Sequence, residues 1–245
     1  MEKSGACEVF YFGPENPSLK KQYNIDIQWV PLIHVLPIDK SVKEILSILR
    51  ECDCLVFTSP RGVRILKELS LEQGLLADLR HAISKRIIAV IGGSTGKALE
   101  EEFNIKHYHK PDEWDSYGLG SLLCGIQPKC ALLFRAKQSS NILEGKLKEC
   151  DVSYRKIGLY DILYTTITRI PKIPEGSPII LSSSMIANAF IRKHGCPKNN
   201  PVIVLGRMTQ NMIKKLCSDI CVYVAKPSLL ENAIKIAESI CSNNI

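Results

Sequence analysis

The sequence predicts an α/β protein of two lobes, each a parallel five-stranded sheet flanked by helices in the flavodoxin-like manner, the lobes joined by two extended β-type connectors. Short β-rich runs alternate with helical patterns from end to end, which is the pattern of parallel α/β architecture. The strand-like runs are Cys7–Phe12, Ile27–Ile33, Cys54–Thr58, Ile87–Ile91, Ile105–His109, Ala131–Phe134, Val152–Ile157, Ile179–Leu181, Val202–Leu205 and Ile220–Val224, too many for one doubly wound sheet in 245 residues. A strand–loop–helix signature also occurs twice, once for each lobe.

The helix starts are legible. Ser41-Val42-Lys43-Glu44 and Ser228-Leu229-Leu230-Glu231 read as capping boxes. Ser59-Pro60 pairs an N-cap with proline at the first helical position, followed by Val63, Leu66 and Leu69 on one face. Ser182-Ser183-Ser184 opens a helix with Ile186, Ala189 and Phe190 inward, and Gly195 stops it.

The two signatures match in order. Leu55-Val56-Phe57-Thr58-Ser59 resembles Ile179-Ile180-Leu181-Ser182-Ser183, and Ala89-Val90-Ile91-Gly92-Gly93-Ser94-Thr95 resembles Ile203-Val204-Leu205-Gly206-Arg207-Met208-Thr209. Each copy continues through a short strand, a Lys-Pro (Lys110-Pro111, Lys226-Pro227) and a helix with serine at its start, Ser116 or Ser228. The second copy supplies only three strands, and the N-terminal pair Cys7–Phe12 and Ile27–Ile33 completes it. One lobe is therefore expected from residues 1–33 and 168–245, with the other, 34–167, inserted. The crossings are expected near 34–39 and 161–168, punctuated by Pro31, Pro37 and Pro171.

Composition narrows the function. With 45% hydrophobic and 23% charged residues the chain is an ordinary globular one. No apolar run approaches the roughly 18–20 residues that span a bilayer. Met1–Ala6 leads straight into a strand with no signal-peptide core, so a cytoplasmic protein is expected. The ten cysteines include no Cys-x-x-Cys and mostly sit in apolar patterns, which reads as reduced, small-hydrophobe cysteine. His107 and His109 alternate along a strand but lack a third ligand type nearby, and no metal is expected. The net charge of +7 favours an anionic partner. Its lysines and arginines form no stripe with interleaved aromatics, so a small polyanion is expected rather than nucleic acid.

In a parallel α/β lobe, ligands bind beyond the carboxyl ends of the strands, where helix N-termini present backbone N–H groups. The repeated loops fall at those ends: Thr58-Ser59, Gly92-Gly93-Ser94-Thr95, Ser182-Ser183-Ser184 and Gly206-Arg207-Met208-Thr209. Any one could be a simple N-cap; two matched pairs point to a shared carboxylate ligand held by both lobes. Gly92–Lys97 imitates a phosphate loop, but Ile91 replaces its first glycine and Ala98 its magnesium-binding hydroxyl. Neither a nucleophile elbow nor a catalytic triad signature occurs, so catalysis would rest on positioning and electrostatics.

These residues resemble the uroporphyrinogen-III synthase family. Leu55–Val63 is similar to its hydrophobic-Phe-Thr-Ser-Pro-x-x-Val segment, and Ile91–Leu99 to its Ile-Gly-x-x-Thr-x-x-Ala-Leu segment, with Leu205–Ile213 as the second copy. Gly158-Leu159-Tyr160 lies where the family has a hydrophobic-Tyr pair, and Ala225–Ser228 is similar to its closing Pro-Ser helix start. The resemblance implies a monomeric, cofactor-independent lyase that cyclises hydroxymethylbilane to uroporphyrinogen III, inverting the terminal ring and releasing water. It implies Tyr160 as proton donor and Thr95 and Thr209 as substrate contacts, with Arg135 kept from a family loop; Thr58, Ser59, Arg61, Gly93, Ser94, Ser116, Ser183, Ser184, Arg207, Met208 and Ser228 are the further candidate substrate contacts. The chain departs from the family in ending its first strand Tyr11-Phe12-Gly13-Pro14, in Ser183-Ser184 for the second Ser-Pro, and in Ser140 for a frequently basic residue. The competing reading is a non-enzymatic, two-lobed binding module for an anionic metabolite.

Overall fold

The computed structural model describes residues 7–14, 23, 25–164 and 170–243. Met1–Ala6 and residues 165–168 of the second connector lie outside them. The chain divides into two compact units, Met1–His34 with Leu163–Ile245, and Val35–Ile162.

The strands of the first unit are β1 (Glu8–Phe12), β2 (Asp26–Trp29), β8 (Ile179–Leu181), β9 (Val202–Val204) and β10 (Val222–Val224). They run in the order β10-β9-β8-β1-β2, and all four pairings are parallel. Helices α7 (Ser184–His194), α8 (Arg207–Leu216) and α9 (Leu230–Asn243) connect and flank them. The strands of the second unit are β3 (Ile33–Pro37), β4 (Cys54–Phe57), β5 (Ile87–Val90), β6 (Ala131–Ala136) and β7 (Tyr154–Tyr164). Their order is β3-β7-β6-β4-β5, with β4–β5, β4–β6 and β6–β7 parallel. Six helices cover them: α1 (Val42–Glu51), α2 (Pro60–Glu72), α3 (Leu76–Ser84), α4 (Gly93–Phe103), α5 (Ser116–Ile126) and α6 (Ile142–Glu149). Two five-stranded α/β layers are what the sequence predicts.

The details differ at one strand. Ile105–His109, read as a strand, makes a single parallel bridge between His109 and Ala89, and the fifth strand of that sheet is instead β3, from the expected connector. The segment still lies where a strand would, because Val90 N–H donates to the His109 carbonyl at 2.9 Å and His109 N–H to the Ile88 carbonyl at 2.8 Å. Two bonds at one residue pin the chain without extending the ladder. With this bridge counted, the second unit reads 3-2-1-4-5 outward from it, and the first unit reads the same when counted from β8. The two units are thus one topology whose chain is opened at different points, which explains why the repeat is legible while the termini share one unit.

Strand periodicity places the cores. In the second unit Leu55, Phe57, Ile88, Val90, Leu132 and Phe134 face α1, α2, α3 and α4, and Phe57 stacks on Phe134 with centroids 4.9 Å apart. The alternate residues Cys54, Val56, Ala89, Ala131 and Leu133 face α5 and α6. In the first unit Val9, Tyr11, Ile180 and Ile203 pack on Ala233, Ile234 and Ala237 of α9, while Phe12 meets Phe190 of α7 edge-on at 4.8 Å. Val63, Leu66 and Leu69 are buried in α2, and Ile186, Ala189 and Phe190 in α7, as their spacing predicts.

The cysteines overturn the reduced reading. Four disulfides join Cys7–Cys241, Cys52–Cys130, Cys124–Cys150 and Cys196–Cys217, leaving Cys54 and Cys221 free. The partners stand 234, 78, 26 and 21 residues apart in sequence but 4.5–5.7 Å apart at Cα, within bridging reach. That proximity arises from strand order and is invisible in spacing. Each pair lies within one unit. Cys54 is inert, since burial pushes its thiol up to about 12. The box at Ser228 is also corrected: α9 begins at Leu230, so Ser228 stands one residue too early to cap it. Asn232 instead turns back and donates to the Pro227 carbonyl at 3.0 Å.

Candidate active site

The strand order of the second unit reverses between β4 and β6, and a crevice at the carboxyl ends of two such strands is where doubly wound sheets bind ligands. Thr58 spans that point: its hydroxyl donates to the Phe134 carbonyl of β6 at 3.2 Å. Ser59 follows as N-cap of α2, extended at φ −161°, its Oγ accepting the Gly62 N–H at 3.0 Å, with Pro60 in the first turn. Tyr160 arrives from β7 and sets its phenol oxygen 2.9 Å from Ser59 Oγ. Tyr160 is 7% exposed, and burial holds its pKa above the ordinary 10.0. The Ser59 hydrogen bond and the charges of Arg61 and Arg135 pull the other way. Phenol, not phenolate, is the form at neutral pH, and cationic groups stand ready for a negative charge on its oxygen.

Arg135, expected as a substrate contact, is 3% exposed. Its guanidinium donates to the Ser140 carbonyl at 3.1 Å and forms an ion pair with Glu144, whose other oxygen takes Lys156 at 3.2 Å. Its Nε is buried without a protein partner. Glu144 went unnoticed in the sequence, where it is one of many charged residues on a helix. It neutralises a cation that burial would otherwise penalise. The variant Glu144→Gln is expected to cost about 3–5 kcal/mol of unfolding free energy, read as a lower denaturant midpoint, because it strands a buried guanidinium.

The loop before α4 carries different information. Gly92 is the N-cap, and Gly93 begins the helix. A Cβ at Gly93 would lie 2.9 Å from the Trp114 indole, and one at Gly92 3.0 Å from it. One at Gly96 would overlap the Tyr108 ring. These glycines therefore make room for two aromatics. Lys110 sits over the Trp114 ring at 5.6 Å. Ser94 is exposed, whereas Thr95 is fully buried with its hydroxyl unpartnered. Ser116 opens α5, but the N-cap is Asp115, which accepts from Tyr117 and Gly118 N–H at 2.9 and 2.8 Å.

In the first unit, Ser183 caps α7 by accepting the Ile186 N–H at 3.3 Å, and the Ser184 and Thr209 hydroxyls meet at 3.2 Å. The sequence signature thus brings its two loops together here. Gly206 caps α8 with nothing within 4 Å of a Cβ placed on it, unlike its counterpart under Trp114. Arg207 and Met208 follow, and Arg207 lines a pocket of about 370 Å³ with Gln210, Val222, Tyr223, Val224 and Lys226. Tyr160 is not among its lining residues. Ser228 lies just before α9, half-buried.

Two doubly wound α/β units, each with hydroxyl-bearing loops at the carboxyl ends of its strands and one with a buried phenol at its switch point, define a class of two-unit α/β enzymes. A family model described as uroporphyrinogen-III synthase HemD matches residues 20–229. The chain belongs to the uroporphyrinogen-III synthase family. A variant of the uroporphyrinogen III synthase of Thermus thermophilus superposes with a TM-score of 0.64 at 17% identity, covering 97% of this chain and 100% of that one. The Helicobacter pylori uroporphyrinogen-III synthetase gives 0.63 at 18%, covering 95% and 99%. No curated protein sequence matches the chain. The protein is thus a cofactor-independent, lyase-type enzyme of tetrapyrrole biosynthesis with uroporphyrinogen-III synthase activity, and the non-enzymatic binding module is not favoured. Among the described residues no helix is long and apolar enough to cross a membrane.

Proposed function

We propose that the chain takes hydroxymethylbilane, closes it with inversion of the terminal ring, and uses Tyr160 as the acid that releases water. The observation carrying this reading is the buried phenol of Tyr160 on β7, 2.9 Å from the cap of α2 and under the influence of Arg61 and Arg135. The C–O bond of the hydroxymethyl group breaks with its electron pair leaving on oxygen, the Tyr160 proton turns that oxygen into water, and the adjacent pyrrole nitrogen's lone pair supplies the carbon. The phenolate left behind faces the positive end of α2 and the two arginine charges.

The remaining residues hold carboxylates in this reading. Thr58, Arg61, Gly93, Ser94, Thr95 and Ser116 serve in the unit that carries Tyr160, and Ser183, Ser184, Arg207, Met208, Thr209 and Ser228 in the other. Ser59 and Arg135 act beside Tyr160. The net charge of +7 suits a polycarboxylate. The two units, residues 35–162 and the remainder, are read as the family's two lobes. A single copy of the chain supplies every residue named, so a monomer suffices. Work in the cytoplasm would require the four disulfides to resist the glutathione pool, as structural bridges do.

Supplied with freshly made hydroxymethylbilane, the purified protein is expected to yield the type III isomer in excess of the uncatalysed type I product. Type I product alone would overturn the reading.

A further inference from the structure

Tyr160 reaches Ser59 because β7 bulges. Along β6 and β7 the register is one-to-one, Phe134 opposite Ile157 and Arg135 opposite Gly158, until Ala136 stands opposite Tyr160 and Leu159 is left as an extra residue. In an unbroken strand side chains alternate, so Tyr160 would share the face of Gly158. Instead Ile157, Leu159 and Tyr160 all belong to the core under α2, and a Cβ on Gly62 would lie 3.8 Å from both Leu159 and Tyr160 side chains. The extra residue turns the phenol to the N-terminus of α2.

Ser59 Oγ is already placed when the phenol arrives. It accepts the Gly62 N–H, which leaves its own proton and one lone pair for the phenol oxygen 2.9 Å away. If the hydroxyl donates to the phenol oxygen, the phenol proton is free for a leaving hydroxyl, and the same hydrogen bond strengthens as charge builds on Tyr160. If Ser59 held a substrate carboxylate, its single proton would be taken, and the phenol could only donate to its remaining lone pair, which ties up the proton that the leaving hydroxyl needs.

We infer that Ser59 is a positioning residue that acts through Tyr160, donating to the phenol oxygen, rather than a contact to a substrate carboxylate. The inference rests on the reading of Tyr160 as the proton donor. Its test is a cycle in the full-length chain with the variants S59G, S59T, Y160F and S59G/Y160F, reading kcat and KM for type III formation. Glycine is tolerated at an N-cap, so S59G removes the hydroxyl and leaves α2 in place, which thermal unfolding checks. The expected result is a kcat lowered on the order of tenfold in S59G at unchanged KM, as for a lost hydrogen bond to a developing charge. S59T restores most of it, and S59G/Y160F is no slower than Y160F alone. A raised KM with unchanged kcat in S59G overturns the inference, as does a multiplicative loss in the double variant. Wild-type turnover in Y160F removes the reading of Tyr160 and this inference together.

Discussion

Tyr160→Phe is expected to lower kcat on the order of 100-fold while the protein stays folded, because it removes the proton and keeps the ring. The ring remains packed in the core under α2, so the stability change is that of one lost hydrogen bond to Ser59, about 1 kcal/mol. The pH profile adds a second signature. The acid must be protonated to act, and burial raises its pKa above 10.0, so the protonated form persists to higher pH than in a free tyrosine. The alkaline limb of kcat due to this group therefore lies above pH 10.0, and it is absent from the residual activity of Y160F. A Y160F enzyme with wild-type kcat would remove the assignment. The sign also bears on stability: the folded state holds the proton more tightly than the unfolded state. That contribution is fully present below the unfolded pKa and is lost as pH rises through the folded one.

Reduction of the disulfides is expected to destabilise the chain severely while leaving the chemistry of the intact fold unchanged. Cys7–Cys241 closes a loop of 234 residues and ties the first strand to the last helix, the two chain ends that share one unit. Loop-closure entropy assigns such a bridge about 5 kcal/mol. That is comparable to the whole stability of a marginal domain, roughly 5–15 kcal/mol. The double variant C7S/C241S is expected to unfold on the order of 10 °C lower. Catalysis should be spared below that temperature, since both cysteines belong to the unit that does not carry Ser59 and Tyr160. Thermal unfolding of the variant beside the wild type, with and without dithiothreitol, checks this. An unchanged Tm in the variant would show that the bridge contributes nothing. Cys241 is 4% exposed, so a glutathione buffer should reduce the pair slowly unless the unit opens.

Several features were legible because their causes lie within a few residues of one another. Ser59-Pro60 caps α2 through a bond to Gly62, three residues on, and the apolar faces of α2 and α7 follow from a 3.6-residue period. The doubled signature survives in both units because it consists of short strands and the caps that follow them. Capping failed at Ser228, where a turn through Lys226-Pro227 shifts the start of α9; Ser116 does start α5, with Asp115 as its cap. What the glycines before α4 pack against was not legible. They make space for Trp114, about twenty residues further along, and no local rule connects the two.

The sequence by itself determined the alternation of strand and helix, the two-fold repetition, the helix caps at Ser41, Ser59 and Ser183, and the family to which the chain belongs. Each depends on neighbours one or two turns apart, where backbone geometry alone fixes who meets whom. Tertiary structure decided that Leu159 is the extra residue that turns Tyr160 toward Ser59, 101 residues away, and that Glu144 holds Arg135 beside it. It also decided that cysteines as far as 234 residues apart are joined. Those outcomes follow from strand order and register, which come from the summed burial of two sheets and leave no mark at any single position.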